Sequence, residues 1–274
     1  MNYLTNNCAD LLHEIRIKSP LIHNITNYVT VNDCANAILA IGASPIMADD
    51  VGEVEEVVSI SSALVINIGT LNQRTVDSMI RAGKKANKLH IPVVLDPVGA
   101  GASTLRNETT QKILSEIKID VIRGNLSEIS FIAGLSVSTK GVDTSKADEK
   151  NDAEAIAKSV ANKYSCVVGI TGEVDVISDG IRIVKITNGH KLLSKVTGTG
   201  CMTSALVGSF CGITKDYYTA TVTGIVVMGI AGELSFVKTR EMGTGSFHIG
   251  IIDALSNMNS TYFVERVKID ETKY

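Results

Sequence analysis

The chain has 274 residues, 45% of them hydrophobic, 20% charged and only 4% aromatic, which is too apolar for a disordered protein and long enough for one large α/β domain or two small ones. Lys plus Arg number 26 against 29 Asp plus Glu, and no basic cluster exceeds Lys84-Lys85, which speaks against nucleic acid as the main partner. Tryptophan is absent, with seven Tyr and five Phe, so the core must come from Ile, Val, Leu, Ala and the close backbone contacts that 23 Gly allow.

Along the chain, Met1-Asn2-Tyr3-Leu4 lacks the basic segment and apolar run of a secretory signal, and a cytoplasmic location is expected. Short apolar runs alternate with stretches of helical length, the signature of βα units. Strands are predicted at Pro45 to Ala48, Ala63 to Ile68, Pro92 to Leu95, Asp120 to Ile122 and Cys166 to Ile170. Helices are predicted at Val29 to Ile41, Thr70 to Leu89 and Asn107 to Ile117, with a polar loop and helix over Val137 to Tyr164.

After residue 172, Val174 to Ser178 and Ile181 to Thr187 flank Asp179-Gly180, a pairing that predicts a β-hairpin on a tight primed turn. From Val196 to Leu234 the only charges are Lys215, Asp216 and Glu233. Interrupting Gly, Ser and Thr argue for two buried helices there and against a membrane hairpin. A Gly-rich loop at Gly243 to Gly245 and a last helix from Phe247 to about Met258 complete the chain. The expectation is one domain over residues 1–274: a three-layer α/β/α arrangement with a mostly parallel central sheet and the hairpin at one edge.

Ligands of such sheets bind beyond the carboxyl ends of the strands, which directs attention to the strand ends. Val196-Thr197-Gly198-Thr199-Gly200-Cys201 precedes an apolar helix. It reads either as an anion site of backbone N–H groups and helix dipole or as a plain turn needing Gly for sterics. It matches neither a Walker pattern nor G-x-G-x-x-G, since Thr203 holds the third Gly position. Cys201 on the first helical turn is a candidate base or nucleophile, its thiolate favoured by the dipole. The other four cysteines, Cys8, Cys34, Cys166 and Cys211, are scattered and suggest neither disulfides nor zinc.

Asp96, ending Val93-Val94-Leu95-Asp96-Pro97-Val98-Gly99-Ala100-Gly101, suits a hard cation or a turn cap. Asn125 and Glu128 have capping-box spacing, whereas Arg123 beside them suits a phosphate fork. Thr171 and Gly172 close another apolar strand where a nucleotide can meet the backbone. Met47 is a ring-packing or core residue, and His23 a functional or structural one.

Together, His23-Asn24-Ile25-Thr26-Asn27-Tyr28, Gly42-Ala43-Ser44-Pro45-Ile46-Met47-Ala48, Asp96 to Gly101, Arg123-Gly124-Asn125, Thr171 to Asp175 and Thr197 to Cys201 resemble the hydroxyethylthiazole kinases, a ribokinase-like family of thiamine synthesis and salvage. The resemblance implies ATP- and Mg2+-dependent phosphorylation of the primary alcohol of 4-methyl-5-(2-hydroxyethyl)thiazole by a homotrimer with active sites between subunits. It implies thiazole contacts from Met47 and Gly198, with Asn24 and Gly69 in the same pocket, and ATP contacts from Arg123 and Thr171. Asp96 and Glu128 would organise magnesium, and Gly198, Gly200 and Cys201 would form the catalytic anion hole. Other ribokinase-like kinases, such as hydroxymethylpyrimidine kinase, are expected to carry Asp where Cys201 stands and to lack the His23 to Tyr28 segment.

Overall fold

The structure, a computed structural model, describes residues 3–135 and 146–272. An amphipathic α1 (Tyr3–Lys18) leads into β1 (Leu21–Ile25) and α2 (Val31–Ile41). Gly42 ends α2 in the left-handed region at φ +106°, where a Cβ would be strained. Then come β2 (Ser44–Ile46), α3 (Val54–Ser59), β3 (Ala63–Asn67) and α4 (Gln73–Leu89), the last opened by an Asn72–Thr75 capping box. β4 (Val93–Asp96), α5 (Thr104–Glu116), β5 (Val121–Asn125), α6 (Leu126–Ala133) and α7 (Lys146–Tyr164) continue the alternation. The remainder is β6 (Val167–Thr171), β7 (Asp175–Ser178), β8 (Ile183–Ile186), α8 (Thr199–Cys211), α9 (Tyr217–Thr239), α10 (Thr244–Ser256), α11 (Ser260–Arg266) and β9 (Ile269–Thr272).

The strands form one sheet in the order β2-β1-β3-β4-β5-β6-β7-β8-β9. Pairings from β2 through β6 are parallel, and those from β6 to β9 are antiparallel. Alternate residues of each strand face two separate apolar layers. Ala63 and Val65 pack towards α1, α2, α8, α9 and α10, while Leu64 and Ile66 pack towards α3, α4, α5, α6 and α7. This is the expected three-layer architecture, and burial on both faces is why the strands read as unbroken apolar runs.

Several boundaries differ from the sequence reading, each for a local reason. β1 was hidden because His23 and Asn24 interrupt its apolar pattern, although both are buried. α5 begins at Thr104, ahead of the expected Asn107, because Ser103 accepts the Arg106 N–H and caps it. Gly243 is likewise a helix cap, so the expected Gly-rich loop is largely the first turn of α10. The hairpin lies at the antiparallel end of the sheet, with β9 added outside it through Ile183↔Thr272 and Ile186↔Ile269. Its turn is not the tight primed one, because Ser178 pairs with Ile183. The longer connection is closed by Asp179 Oδ1, which accepts the N–H groups of Ile181 and Arg182. Of the expected Val137 to Tyr164 segment, residues 137–145 lie outside the described residues.

The apolar stretch after Val196 is α8 and α9, as expected of buried helices, and both are covered along most of their length. Glycine brings them together: a Cβ on Gly224 would stand 2.8 Å from Val207 N and 2.9 Å from its Cα. Backbone cannot yield there as a side-chain tip can. Gly224→Ala should therefore cost about 1–3 kcal/mol, seen as a lower urea midpoint with an unchanged m value.

Candidate active site

Parallel pairing brings the carboxyl ends of β1 to β6 to one edge of the sheet, with Ile25, Ile46, Asn67, Asp96, Asn125 and Thr171 as terminal residues. β1 lies between β2 and β3, so connections diverge on its two sides and open a crevice beside it.

Asp96 is the most enclosed acid of this edge, only 1% exposed. Its Oδ2 accepts hydrogen bonds from Asn67 Nδ2 and Ser204 Oγ, both at 2.8 Å, and Arg123 Nη1 stands 3.9 Å away. Its Oδ1 is buried without a partner. Burial pushes the Asp96 carboxyl up to about 7, and Glu128 adds to this while Arg123, Ser204 and Asn67 pull it down.

Glu128 completes the capping box the spacing predicts: its N–H donates to Asn125 Oδ1 at 2.9 Å, and Asn125 N–H donates to Glu128 Oε2 at 2.8 Å. Its other oxygen accepts Gly99 N–H at 2.8 Å. One carboxylate thus ties the start of α6 to the Pro97 to Gly101 loop. Arg123 donates from Nη2 to Thr171 Oγ1, pairing two residues 48 positions apart at the ends of adjacent strands. A Cβ on Gly200 would fall 2.9 Å from Arg123 Nη1, so glycine is what lets the guanidinium lie against the start of α8.

Gly198 caps α8 at φ +87°, and a Cβ there would meet Thr30 Cγ2 at 2.7 Å. The first-turn N–H groups of α8 have no partners within the helix, and this end of α8 lies beside Arg123 and Asp96. Cys201 on that turn is half-buried, and its Sγ accepts a hydrogen bond from Asn27 Nδ2 at 3.2 Å. Helix position favours its thiolate, yet burial prevails and pushes the thiol up, helped by the Asp96 charge and opposed by hydrogen bonds from Thr30, Asn27 and Asn67. The other four cysteines are buried.

Met47 follows β2 half-buried against the α1/α8 layer. The next residue is pinned by His23, whose Nε2–H donates to Ala48 O at 2.8 Å. Since a carbonyl only accepts, that contact fixes the tautomer, and His23 serves here as a structural residue. Gly69 N–H donates to Asn67 Oδ1 at 2.9 Å, and a Cβ on Gly69 would lie 2.8 Å from Asn27 Nδ2. Asn24 points inward, buried, with Nδ2 on Ile22 O at 3.4 Å. Asn27, three residues on, is the asparagine against Cys201.

A cavity of about 700 Å³ opens beside these residues, walled by Arg123, Thr171, Asp175, His190, Gly200 and Met228 among others. Of the expected residues it gathers Arg123, Thr171 and Gly200. Met47, Asn24, Gly69, Asp96, Glu128, Gly198 and Cys201 lie outside its lining. The sequence reading missed Asn67 and Ser204, which hold Asp96. It also missed Arg106, whose guanidinium joins Ile68 O, Val98 O and Gly69 O. A polar residue closing an apolar strand was the one available signal for Asn67.

For a metal, the donor set is spare: among the described residues no three His, Cys, Asp or Glu side chains gather at one point. The free Asp96 Oδ1 near Glu128 nevertheless fits a small divalent cation, which takes one or two carboxylates and completes its shell with phosphate and water.

The fold and this site define a ribokinase-like kinase. Pyridoxal kinase from Staphylococcus aureus in complex with AMP-PCP shares the fold, with a TM-score of 0.65 at 16% identity over 92% of this chain and 98% of that one. Residues 12–261 match the Hydroxyethylthiazole kinase family. Hydroxyethylthiazole kinase of Ruminiclostridium cellulolyticum is 64% identical over 99% of this chain and 100% of its own length. The corresponding figures for Clostridium beijerinckii are 59%, 98% and 99%. The solved hydroxyethylthiazole kinase of Pyrococcus horikoshii is 39% identical, with a TM-score of 0.89 over 98% of this chain and all of that one. The chain belongs to the hydroxyethylthiazole kinase family.

The His23 pin carries a pH signature. Burial lowers its pKa from the ordinary value of 6.5, so the folded protein holds the neutral ring while the unfolded chain takes a proton near 6.5. Stability is then full above that pH and is lost as pH falls below it towards the folded pKa, by up to about 1.4 kcal/mol per pH unit. Thermal unfolding of His23→Gln should show a flatter decline across this window than the wild type. Parallel declines in the two proteins would assign the acid sensitivity to other groups.

Proposed function

We propose that residues 1–274 form one kinase unit that transfers a phosphoryl group from ATP to the primary hydroxyl of 4-methyl-5-(2-hydroxyethyl)thiazole, in the cytoplasm, for thiamine synthesis and salvage. Family membership over nearly the whole chain supports the substrate. The observation that carries the site is the start of α8: Cys201 faces Asn27 on one side, while Gly200 lies against Arg123 and the cavity on the other.

Phosphoryl transfer depends on in-line positioning and charge stabilisation more than on covalent chemistry. In this reading the thiazole rests against Met47, Gly198, Gly69 and Asn24, with its hydroxyl towards Cys201. The triphosphate lies along Arg123 and Thr171, whose mutual hydrogen bond sets the guanidinium in place before the nucleotide arrives. The N–H groups from Gly198 to Cys201 stabilise charge on the moving phosphoryl group. Asp96 and Glu128 would hold Mg2+, whose chemistry is to neutralise phosphate charge. A thiol held above its ordinary pKa is better suited to orienting the substrate hydroxyl than to being ionised beforehand. A homotrimer with sites between subunits would cover Tyr28 and Val29, exposed apolar side chains beside Asn27.

The deciding assay is ATP turnover with the thiazole alcohol, run in parallel with the hydroxymethylpyrimidine alcohol. Turnover with the first alone is expected; turnover only with the second would replace this reading, and none with either would leave a binding protein. Asp96→Ala and Glu128→Ala should raise the magnesium needed for half-maximal rate by about 10–100-fold, and unchanged titrations in both would refute the metal assignment. Cys201→Asp should retain measurable kinase activity. An inactive variant that still folds and binds both substrates would count against a base or orienting role for Cys201.

A further inference from the structure

Asn67 is the last residue of β3, only 2% exposed, and belongs to none of the family segments. Its amide has one permissible orientation. Oδ1 accepts Gly69 N–H at 2.9 Å, a backbone group that can only donate. Nδ2 donates to the Asp96 carboxylate at 2.8 Å. The same Oδ1 accepts Asn27 Nδ2–H at 3.0 Å. A flip would set donor against donor at Gly69 and oxygen against oxygen at Asp96.

Asn27 is fixed in the same way. Its Oδ1 accepts Thr30 N–H at 3.2 Å and Thr30 Oγ1–H at 3.1 Å, which leaves Nδ2 to reach both Asn67 Oδ1 and Cys201 Sγ. The sulfur therefore faces a donor. Thr30 and Asn67 also lie within hydrogen-bonding reach of the sulfur. Each link is directional, so the chain of contacts from Asp96 to Cys201 transmits orientation as well as proximity.

We propose that Asn67 is a positioning residue of this kinase: together with Thr30 it holds the Asn27 amide so that an N–H faces Cys201 Sγ, and so helps set the direction in which Cys201 meets the substrate hydroxyl. Its other end fixes Asp96 by Oδ2 and leaves Oδ1 to the phosphate side. One buried amide thus aligns the acceptor end of the site with the phosphate end. This rests on the reading of Cys201 as the group facing the alcohol.

The test is a double-mutant cycle on the full chain, with Cys201 alkylation by iodoacetamide followed by mass spectrometry without substrates. The four buried cysteines provide the internal reference. An N–H donated to the anionic sulfur favours the reactive thiolate, so Asn67→Ala should slow alkylation by about tenfold, the size of a hydrogen bond to a charged group. In an Asn27→Ala background the slowing should shrink to less than about threefold, because Asn67 acts mainly through Asn27, its own contact with Cys201 being the smaller one. In kinase assays Asn67→Ala should lower kcat at least about tenfold while KM for ATP changes by less than about threefold. Should the alanine variant not fold, Asn67→Ser, whose hydroxyl is too short to bridge Asp96 and Asn27, is read by the same cycle. Equal slowing in both backgrounds, unchanged or faster alkylation, or a rise in KM for ATP with kcat intact would each overturn the proposal. Alkylation is independent of turnover, so absent kinase activity would refute the functional reading without deciding this one.

Discussion

The structure turns on a carboxylate that has been carried out of water. Asp96 ends a strand covered on both faces, and an acid so enclosed is costly unless its oxygens are satisfied. Asn67 and Ser204 satisfy Oδ2, and Arg123 supplies an opposite charge at a distance too long for a hydrogen bond. The remaining oxygen is left bare. That incomplete solvation is a destabilised feature retained at one point, and it is where a cation could recover what burial removed. The neighbouring Glu128 is different, since both its oxygens already accept backbone N–H groups. Glu128 holds the loop after β4 in place as well as contributing charge, so its loss should disturb loop geometry together with cation affinity.

Around this acid the site is assembled by backbone approach. Gly69 against Asn27, Gly198 against Thr30 and Gly200 against Arg123 are three contacts in which a Cβ would fall below 3.0 Å from the partner side chain. Missing side chains let polar groups from β1, β3, β5 and α8 meet within a small volume. The same device recurs in the support, where Gly208 meets Val65 and Gly224 meets Val207. α8 is thereby drawn onto the sheet, and its first turn arrives at the strand ends. Packing of the α8 and α9 helices and positioning of Cys201 are consequently one problem.

Legibility in the sequence followed distance along the chain. Strands such as Ala63 to Asn67 and Val93 to Asp96 were readable because burial on both faces writes itself into consecutive residues. The Asn125–Glu128 box was readable because it spans three positions. β1 was not, since His23 and Asn24 are polar residues in a buried strand, the first satisfied by Ala48, 25 positions on, and the second only in part by Ile22. Asn67 and Asn27 lie 40 positions apart, and Asn27 and Cys201 lie 174 apart; no periodicity encodes such a meeting. The protonation tendency of Cys201 was misread for a related reason. Position on a helix is visible in a sequence, whereas desolvation is a property of everything packed around it.

The scarcity of aromatics acquires a structural meaning from where they went. Phe210, Phe247, Phe263 and Tyr218 are fully buried in the helical layer that α8, α9, α10 and α11 form, leaving the cavity walls to Met228, Ile225, Leu193 and His190. His190 is stacked on Phe236 with centroids 3.8 Å apart, so one face of its ring is occupied by the protein. Its Nδ1 accepts Leu192 N–H at 3.3 Å, which places the ring proton on Nε2 in the neutral form. Only the edge and the opposite face remain for a ligand. A flat heterocycle entering here therefore meets a ring already held in orientation by Phe236, together with flexible thioether and aliphatic surface. Met228 supplies thioether surface to this wall, while the Arg123–Thr171 pair and the first turn of α8 stand at the other end. In the proposed reading, a compliant apolar wall and a rigid polar end would let the phosphates, where position governs rate, be held more tightly than the base.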